Sequence, residues 1–255
     1  MRAAVITQHG DPEVLQIQDI PAPQPGPGEV LVDVAASALN RADLLQRMGL
    51  YPGPPADFDV PGLEFAGRVT ALGVETTRWS VGDRVMGITS GAAHAEQLVA
   101  HQDLAMEVPE NMDLQTAGGL PEVFITAWDA LVLQGGLQAG QTALVHAGAS
   151  GVGTAAIQIC RHLGAKVIVT ASGPKVARCT ELGADLAIDY TSQDWAVEVK
   201  DFTDGQGVDV VLDVIGGEYL EKNVRSLALG GTIVQVGVMG GGKATSSLGM
   251  LLPKR

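Results

Sequence analysis

The chain has 255 residues, of which 46% are hydrophobic and 18% charged, and its formal net charge is −13. This length and composition predict a globular protein with one large core or two ordinary ones, and they exclude a disordered chain. The acidic balance argues against general binding to nucleic acid or to an anionic membrane. No apolar run is long enough to span a bilayer.

Two further features predict a cytoplasmic protein. The first residues lack the apolar core of a secretory signal peptide. The two cysteines, Cys160 and Cys179, fall in predicted helices and do not have the spacing of metal ligands. A reducing compartment is the simplest setting for them.

The first third of the chain is predicted to be rich in β-strands. One short helix is expected between Ala38 and Gly49, and proline-rich connections are expected at 21–28 and 51–61. We therefore predict a compact, mostly β domain over residues 1–118. Short apolar or alternating runs between turn residues predict strands at 3–6, 15–20, 30–36, 65–71, 84–88 and 96–100.

The pattern changes after Asp113. A broken or kinked helix is predicted after Pro121, and beyond it strands and helices alternate. Such alternation predicts an α/β fold, a doubly wound parallel sheet with helices on both faces, over residues 119–255. The predicted strands are 142–146, 166–170, 186–189, 209–215 and 232–238, and the predicted helices lie near 152–163, 174–182, 194–201 and 219–229.

This sheet is predicted to be incomplete at the C-terminus. Five strands are visible where a dinucleotide-binding sheet usually has six, and the chain ends in the middle of the pattern. Either the chain is a fragment or another element completes the sheet edge.

A glycine-rich turn stands at the centre of the second half. It follows the strand 142–146, contains Gly148, Gly151 and Gly153, and leads into a helix. Small residues in such a turn let backbone N–H groups approach a pyrophosphate, and the helix N-terminus adds partial positive charge. A strict G-x-G-x-x-G motif would need glycine at position 150, where this chain has Ser150. A glycine loop of an unrelated α/β protein is the alternative.

The loop after the second strand of this sheet bears on cofactor choice. NAD-binding proteins usually place an acid about 20 residues after the glycine turn, and the segment 170–175 contains none. Pro174 suits the first helical position, which puts Lys175 in the first turn, where a cation is unfavourable unless it meets an anion. The 2′-phosphate of NADPH is such an anion, and Arg178 follows one turn later. NADPH is therefore favoured over NADH; a solvated surface lysine is the alternative.

Other residues after strand ends are weaker candidates. Tyr190 is expected either to contact the adenine or phosphate of the cofactor or simply to pack. The loop with Gly237, Met239 and Gly240 is expected near the nicotinamide, although a flexible linker would have the same composition. His146 is predicted to be structural. The segment 213–217 is expected to contribute backbone contacts rather than a catalytic acid.

The sequence contains no cluster of metal ligands and no nucleophile motif. Any chemistry is therefore expected to belong to the cofactor, as hydride transfer, with the protein supplying orientation and polarity.

Several motifs together resemble one known family. The segments 38–44, 62–67 and 146–153 read ALNRADL, GLEFAG and HAGASGVG. They are similar to zinc-free medium-chain dehydrogenases/reductases of the quinone oxidoreductase family, which includes ζ-crystallin. The resemblance implies a GroES-like catalytic domain followed by a Rossmann domain, with the active site in the cleft between them.

Within that family, the segments 40–51, 121–122 and 239–242 resemble the p53-inducible quinone oxidoreductase type. Zinc-dependent relatives carry a cysteine in the first motif and a histidine in the second, and this chain has neither. The resemblance therefore implies that no metal is bound. Family members continue beyond the point that corresponds to the end of this chain, and many are dimers through the edge of the Rossmann sheet. A full-length chain is expected to be a homodimer.

The resemblance also implies roles for particular residues. Asn40 and Tyr51 would lie beside the nicotinamide and polarise a quinone oxygen, and Thr126 would contact the nicotinamide. Ser150, Gly151 and Val152 would contact the pyrophosphate, and Lys175 and Tyr190 would hold the adenosine phosphate.

Three of the family's motif residues have structural alternatives. Asn40 is also a good helix N-cap, with Asp43 three residues further on. Tyr51 could instead pack among Pro52, Pro54 and Pro55. Glu64 is predicted to be structural, because a reductase without metal has no ligand role for it.

These observations predict an NADPH-dependent quinone oxidoreductase that works without metal on a small-molecule quinone, with solvent as the proton source. The first alternative is an NADPH-dependent enoyl or alkenal double-bond reductase, for which a tyrosine placed to protonate the α-carbon would be the signature. The second is a non-catalytic cofactor-binding protein, crystallin-like or RNA-binding, and the acidic charge counts against RNA.

Overall fold

The computed structural model describes residues 1–53 and 56–254, and the chain divides into two compact units. The first is Met1–Glu122, and the second begins at Val123. No helix in the described residues is both long and apolar enough to cross a lipid bilayer.

The first unit is the mostly β unit that the sequence predicts. Strands β1 and β2 form an antiparallel pair, and the other five form an antiparallel sheet in the order β6-β3-β4-β5-β7. Its helices are α1 (Arg41–Arg47) and α2 (Leu114–Ala117). Its strands are β1 (Arg2–Ile6), β2 (Leu15–Asp19), β3 (Glu29–Ala36), β4 (Glu64–Leu72), β5 (Arg84–Ile88), β6 (Gln97–His101) and β7 (Ala105–Glu107).

The six predicted strands of this unit are confirmed, each with bounds within about one residue of those expected. Strand β7 was not predicted, because three residues are too few to show alternation. The main hydrophobic cluster lies on one face of the larger sheet, and a smaller cluster with Ala66 and Ala117 lies on the other. Val30 and Val32, two positions apart on β3, point to the face of the main cluster and pack with the fully buried Phe65 of β4.

The second unit is a five-stranded parallel sheet in the order β10-β9-β8-β11-β12, which confirms the predicted α/β architecture. The strands are β8 (Thr142–Val145), β9 (Lys166–Ala171), β10 (Leu186–Asp189), β11 (Val208–Asp213) and β12 (Leu227–Gln235). The helices are α3 (Pro121–Trp128), whose first two residues belong to the first unit and which continues as a π-helix (Asp129–Gln134), α4 (Gly151–Leu163), α5 (Gly173–Leu182), α6 (Trp195–Phe202) and α7 (Tyr219–Ser226). A 3-10 helix covers Leu248–Lys254.

Side-chain alternation along the strands explains why helices cover both faces of this sheet. Val145 packs in one hydrophobic cluster with Cys160 of α4. Leu144, one residue earlier, packs in a second cluster with Trp195 of α6. Because neighbouring residues of a strand point to opposite faces, a continuous apolar strand needs a helical layer on each side.

The structure corrects the boundaries around β12, which is Leu227–Gln235 where the sequence predicts a strand at 232–238. The sequence predicts a helix to residue 229, but α7 ends at Ser226 and the next residues begin β12. Leu227 pairs with Val208 of β11, so the ladder of the parallel sheet overrides the helical spacing. The helix predicted after Pro121 is present as α3, and it is irregular as expected, because it changes to a π-helix at Asp129.

His146 lies in a buried polar chain that crosses the second unit. Its Nδ1 is 3.0 Å from Thr170 Oγ1, and its Nε2 is 2.7 Å from Asn223 Oδ1. The Asn223 amide donates to Asp213 Oδ2 at 2.8 Å, so its oxygen faces the histidine. A neutral imidazole with its proton on Nε2 satisfies every member of this chain. His146 is therefore structural, as predicted.

Burial holds the pKa of His146 below its ordinary value of 6.5, because the imidazolium would lose its hydration. As the pH falls through about 6.5, His146 becomes protonated in the unfolded chain but stays neutral in the folded chain. We therefore expect the free energy of unfolding to decline by at most about 1.4 kcal/mol per pH unit below that point. His146→Gln should flatten the decline in melts between pH 7.5 and 5.5, whereas Gln at the exposed His162 should not. An unchanged slope in His146→Gln would contradict this account.

Candidate active site

The turn between β8 and α4 has room for backbone only at two positions. A Cβ added at Gly148 would lie 2.5 Å from Val169 Cβ, and one at Gly153 would lie 2.6 Å from Gly148 Cα and collide with the carbonyl oxygen of Ala147. Real Cβ atoms do not approach so closely, so these glycines are required by the turn itself.

The first turn of α4 presents backbone donors. Ser150 is the N-cap, and its Oγ accepts from the N–H of Gly153 at 3.1 Å. The N–H groups of Gly151 and Val152 come too early in the helix to have an intrahelical acceptor. Together with the positive end of the helix dipole, they suit a phosphate oxygen, so this turn fits the pyrophosphate of a dinucleotide.

The structure corrects the expected position of Pro174. Helix α5 begins at Gly173 with Ser172 as its N-cap, so Pro174 is the second helical residue and Lys175 the third. Lys175 is exposed, and no ion pair to it is found in the described part of the chain. Arg178, expected to help at this site, instead pairs with Glu181 at 3.1 Å.

Asp189 lies at a strand end that the sequence places near the cofactor, and it brings to this site an acid that the segment 170–175 lacks. It ends β10, and a Cβ added at Gly173 would lie 2.8 Å from Asp189 Oδ2, so the carboxylate stands at the start of α5. Hydrogen bonds from Thr191 and Ser192 satisfy it and lower its pKa. Only a topology that places the end of β10 beside the start of α5 reveals it. Tyr190, the next residue, is about half exposed.

The loop after β12 is held by backbone hydrogen bonds. The N–H of Met239 donates to Val214 O at 3.1 Å, and the N–H of Gly240 donates to Ile215 O at 2.7 Å. These bonds tie the segment with Gly237, Met239 and Gly240 to the loop after β11, so it is not a free linker. Thr126 lies half-buried on α3.

The first unit contains a compact polar pair. Asn40 is the N-cap of α1, and Asp43 Oδ2 accepts its backbone N–H at 2.7 Å, which confirms the capping alternative. The Asn40 side chain also donates from Nδ2 to Glu64 Oε1 at 2.7 Å. The other Glu64 oxygen accepts the backbone N–H of Glu122 at 3.0 Å.

Glu64 is a buried carboxyl in this pair, with 1% of its surface exposed. Burial raises its pKa above the ordinary value, and the nearby carboxylates of Glu122 and Asp43 add to the rise, while hydrogen bonds from Asn40 and from the Glu122 backbone oppose it. Sequence reasoning treated Glu64 as structural only; its contact with Asn40 crosses 24 positions and leaves no local signal.

A cavity of about 460 Å³ opens beside this pair. Tyr51, Leu63 and Glu122 are among its lining residues, and Tyr51 is 41% exposed. Asn40 and Glu64 are not among the lining residues. Glu64 nevertheless connects Asn40 to them, because it follows Leu63 in the chain and accepts the backbone N–H of Glu122. The proposed packing of Tyr51 on Pro54 and Pro55 lies outside the described residues.

Within residues 1–53 and 56–254, no group of three or more His, Cys, Asp or Glu side chains could hold a metal ion. Cys160 and Cys179 are both buried, on α4 and α5. Burial raises the pKa of Cys160 to about 12, so its thiol is unreactive at neutral pH.

Sequence comparison identifies the family. Residues 26–135 match the alcohol dehydrogenase GroES-like domain, and residues 151–255 match the zinc-binding dehydrogenase domain. The mouse quinone oxidoreductase-like protein 2 is 38% identical over 257 residues, which cover 99% of this chain and 72% of that protein. The chain belongs to the quinone oxidoreductase family of zinc-free medium-chain dehydrogenases/reductases. Members of this family are oxidoreductases that use a nicotinamide cofactor.

One relative is a much longer polypeptide, of which this chain matches only a small part. A phenolphthiocerol/phthiocerol polyketide synthase of Mycobacterium tuberculosis is 36% identical over 240 residues. The match covers 92% of this chain but only 11% of the synthase polypeptide.

Solved structures agree with the family assignment. The quinone oxidoreductase of Pseudomonas syringae pv. tomato DC3000 has a TM-score of 0.90 and 35% identity, covering 99% of this chain and 78% of that one. The mycobacterial protein Rv1454c in complex with NADPH has a TM-score of 0.89 and 34% identity, covering 100% and 79%. The CurK enoyl reductase has a TM-score of 0.88 and 30% identity, covering 100% and 78%.

The glycine turn provides a direct test of the packing that shapes this site. Gly153→Ala gains about 1 kcal/mol of helix propensity, but its Cβ collides with backbone that cannot move aside, at a cost of about 1–3 kcal/mol. We expect a net loss of stability, measured as a lower urea midpoint, and weaker nucleotide binding. Gly242→Ala is the control, because nothing lies within 4 Å of an added Cβ there. A Gly153→Ala protein as stable as wild type would contradict the steric argument.

Proposed function

We propose that this chain is an NADPH-dependent quinone reductase that works without a metal. The observation that carries the proposal is the strand–turn–helix from β8 to α4, with its required glycines and open backbone donors, in a member of the quinone oxidoreductase family. A bound nicotinamide would supply the hydride, so the residues of the chain need only bind, orient and polarise. Homodimer assembly and a cytoplasmic location stay predictions of the sequence.

The second unit would hold the cofactor. Gly148, Ser150, Gly151 and Val152 would receive the pyrophosphate at the positive end of α4. Thr126, Gly237, Met239 and Gly240 would lie at the nicotinamide end, and Tyr190 at the adenosine end. Lys175 would meet the 2′-phosphate, which supports NADPH over NADH, and the NADPH complex of the mycobacterial neighbour agrees with this choice.

The first unit would hold the substrate. Tyr51 lines the cavity, and Asn40, which is half-buried, is joined through Glu64 to the residues that line it. A phenol and an amide are both donors to a carbonyl oxygen, and fixed donors stabilise the charge that grows there as hydride arrives. No side chain is assigned as general acid, so the proton would come from solvent.

A second candidate is reduction of a polarised carbon–carbon double bond. The likeness to CurK enoyl reductase and the place of Tyr51 in the cavity favour it. In that reaction the Tyr51 hydroxyl would protonate the α-carbon, a role that a quinone does not require.

Nucleotide titration tests the cofactor assignment. We expect wild-type protein to bind NADPH more tightly than NADH in fluorescence titrations, because only NADPH carries the 2′-phosphate. Lys175→Ala should weaken NADPH binding about tenfold and leave NADH binding unchanged, since a charged hydrogen bond is lost. Lys200→Ala, at another exposed lysine of the same unit, is the control. Equal affinity for the two nucleotides in wild type would reject the NADPH assignment.

Substrate assays with Tyr51→Phe separate the two reactions. If Tyr51 only polarises a quinone oxygen, its loss should reduce kcat for a simple benzoquinone about tenfold or more, because solvent still supplies the proton. If Tyr51 is the acid of an enone reductase, the loss should be about a hundredfold or more with an alkenal. If the wild-type protein oxidises NADPH with neither the benzoquinone nor the alkenal, both reductase functions fail and the non-catalytic, cofactor-binding alternative is favoured.

A further inference from the structure

We propose that Glu64 is a positioning residue: its buried carboxylate sets the orientation of the Asn40 amide, and so decides which polar atoms Asn40 offers to the substrate. This inference rests on the proposed function for the substrate role of Asn40. The contact that carries it, from Asn40 Nδ2 to Glu64 Oε1 at 2.7 Å, stands on the structure alone.

The hydrogen bonds of Glu64 leave one arrangement for the amide. Its two oxygens accept from Asn40 Nδ2 and from the backbone N–H of Glu122 at 2.7 and 3.0 Å. An ionised carboxylate can only accept hydrogen bonds, so it excludes the Asn40 orientation that turns the carbonyl oxygen toward it. One N–H of the amide then stays bound to Glu64, and the other remains available as a donor.

The protonation of Glu64 would release this selection. A neutral carboxyl has a proton to donate. It could therefore donate to Asn40 Oδ1 and would be compatible with the reversed amide. The charged groups around Glu64 are the carboxylates of Asp43 on α1 and Glu122 on α3, with His94 Nε2 3.5 Å from Asp43 Oδ2. The like charges and the burial of Glu64 place the change above the pH at which an exposed glutamate titrates.

Glu64→Gln is the variant that opposes the present orientation of the amide, although a reversed amide would give up the capping bond that the Asn40 side chain accepts from the Asp43 backbone N–H. The new side-chain oxygen can still accept the Glu122 N–H, and the new amide nitrogen can donate to Asn40 Oδ1. The fold is therefore expected to survive, with NADPH affinity within about twofold of wild type. We expect kcat with quinone to fall about tenfold or more, because a placed donor becomes an acceptor. In wild type, protonation of Glu64 at low pH should also lower kcat, and Glu64→Gln should lose this pH dependence because it has no carboxyl to protonate.

A double-mutant cycle separates positioning from simple stabilisation. If Glu64 acts through Asn40, then Glu64→Gln should have no further effect on kcat in the Asn40→Ala background, so the two losses do not multiply. Asp33→Asn is the matched control, because Asp33 also accepts an amide, from Gln97 at 2.7 Å, but on the exposed side of the sheet. Two outcomes would assign Glu64 a structural role and overturn the proposal. One is that the losses of kcat multiply; the other is that Glu64→Gln lowers the melting temperature enough for unfolding to account for the loss of kcat.

The NMR signal of the Asn40 side-chain amide supplies a readout that needs no turnover. Its resonances, assigned by their loss in Asn40→Ala, should move with pH in wild type and stay fixed in Glu64→Gln. An amide signal that ignores both pH and the substitution overturns the positioning role. If the signal responds but wild type reduces neither quinone nor alkenal, the proposed function fails and the Glu64–Asn40 coupling stands.

Discussion

The tightest constraint in the second unit is the contact between the turn after β8 and the strand beside it. Gly148 lies against Val169, and Gly153 lies against the backbone of the same turn, so neither position has space for a side chain. The turn can therefore be tight enough to bring α4 back onto the sheet, where Cys160 and Ile157 are fully buried. The same turn leads directly into α4, whose first N–H groups have no acceptor within the helix. The packing of the unit and its capacity to bind a phosphate have one cause.

The first unit depends on a different kind of contact. A carboxyl with 1% exposure is costly unless donors meet both oxygens, and Glu64 has one donor from Asn40 and one from the start of α3. These donors come from segments far apart in the chain, so a single side chain joins two distant parts of the first unit. The Glu64 carboxyl is thus needed for the local structure, and the same carboxyl would orient the Asn40 amide.

Much of the fold follows from local pattern. The strands of the first unit and the alternating elements of the second are readable because each apolar run is matched to a face that is buried. What the sequence could not provide were contacts that depend on tertiary placement. The bond from Asn40 to Glu64 and the approach of Asp189 to the start of α5 join side chains in ways that spacing does not encode. The pair of Arg178 with Glu181 is different, because residues three apart on a helix are neighbours and the sequence alone could have shown it. The start of α5 at Gly173 rather than Pro174 was missed because helix ends depend on capping geometry, which composition defines only loosely.

The polar chain through His146 has a consequence for how the sheet assembles. Its members come from the ends of β8, β9 and β11 and from α7, so it closes only when three strands and one helix have their native alignment. A slip of β8 by one residue would turn His146 to the opposite face and leave Thr170 and Asn223 buried without partners. Apolar side chains tolerate such a slip far better, because any of them can fill a neighbour's place. The His146 imidazole thus specifies the register of β8, because misaligned sheets that the hydrophobic clusters alone would tolerate are destabilised by unpaired buried polar groups.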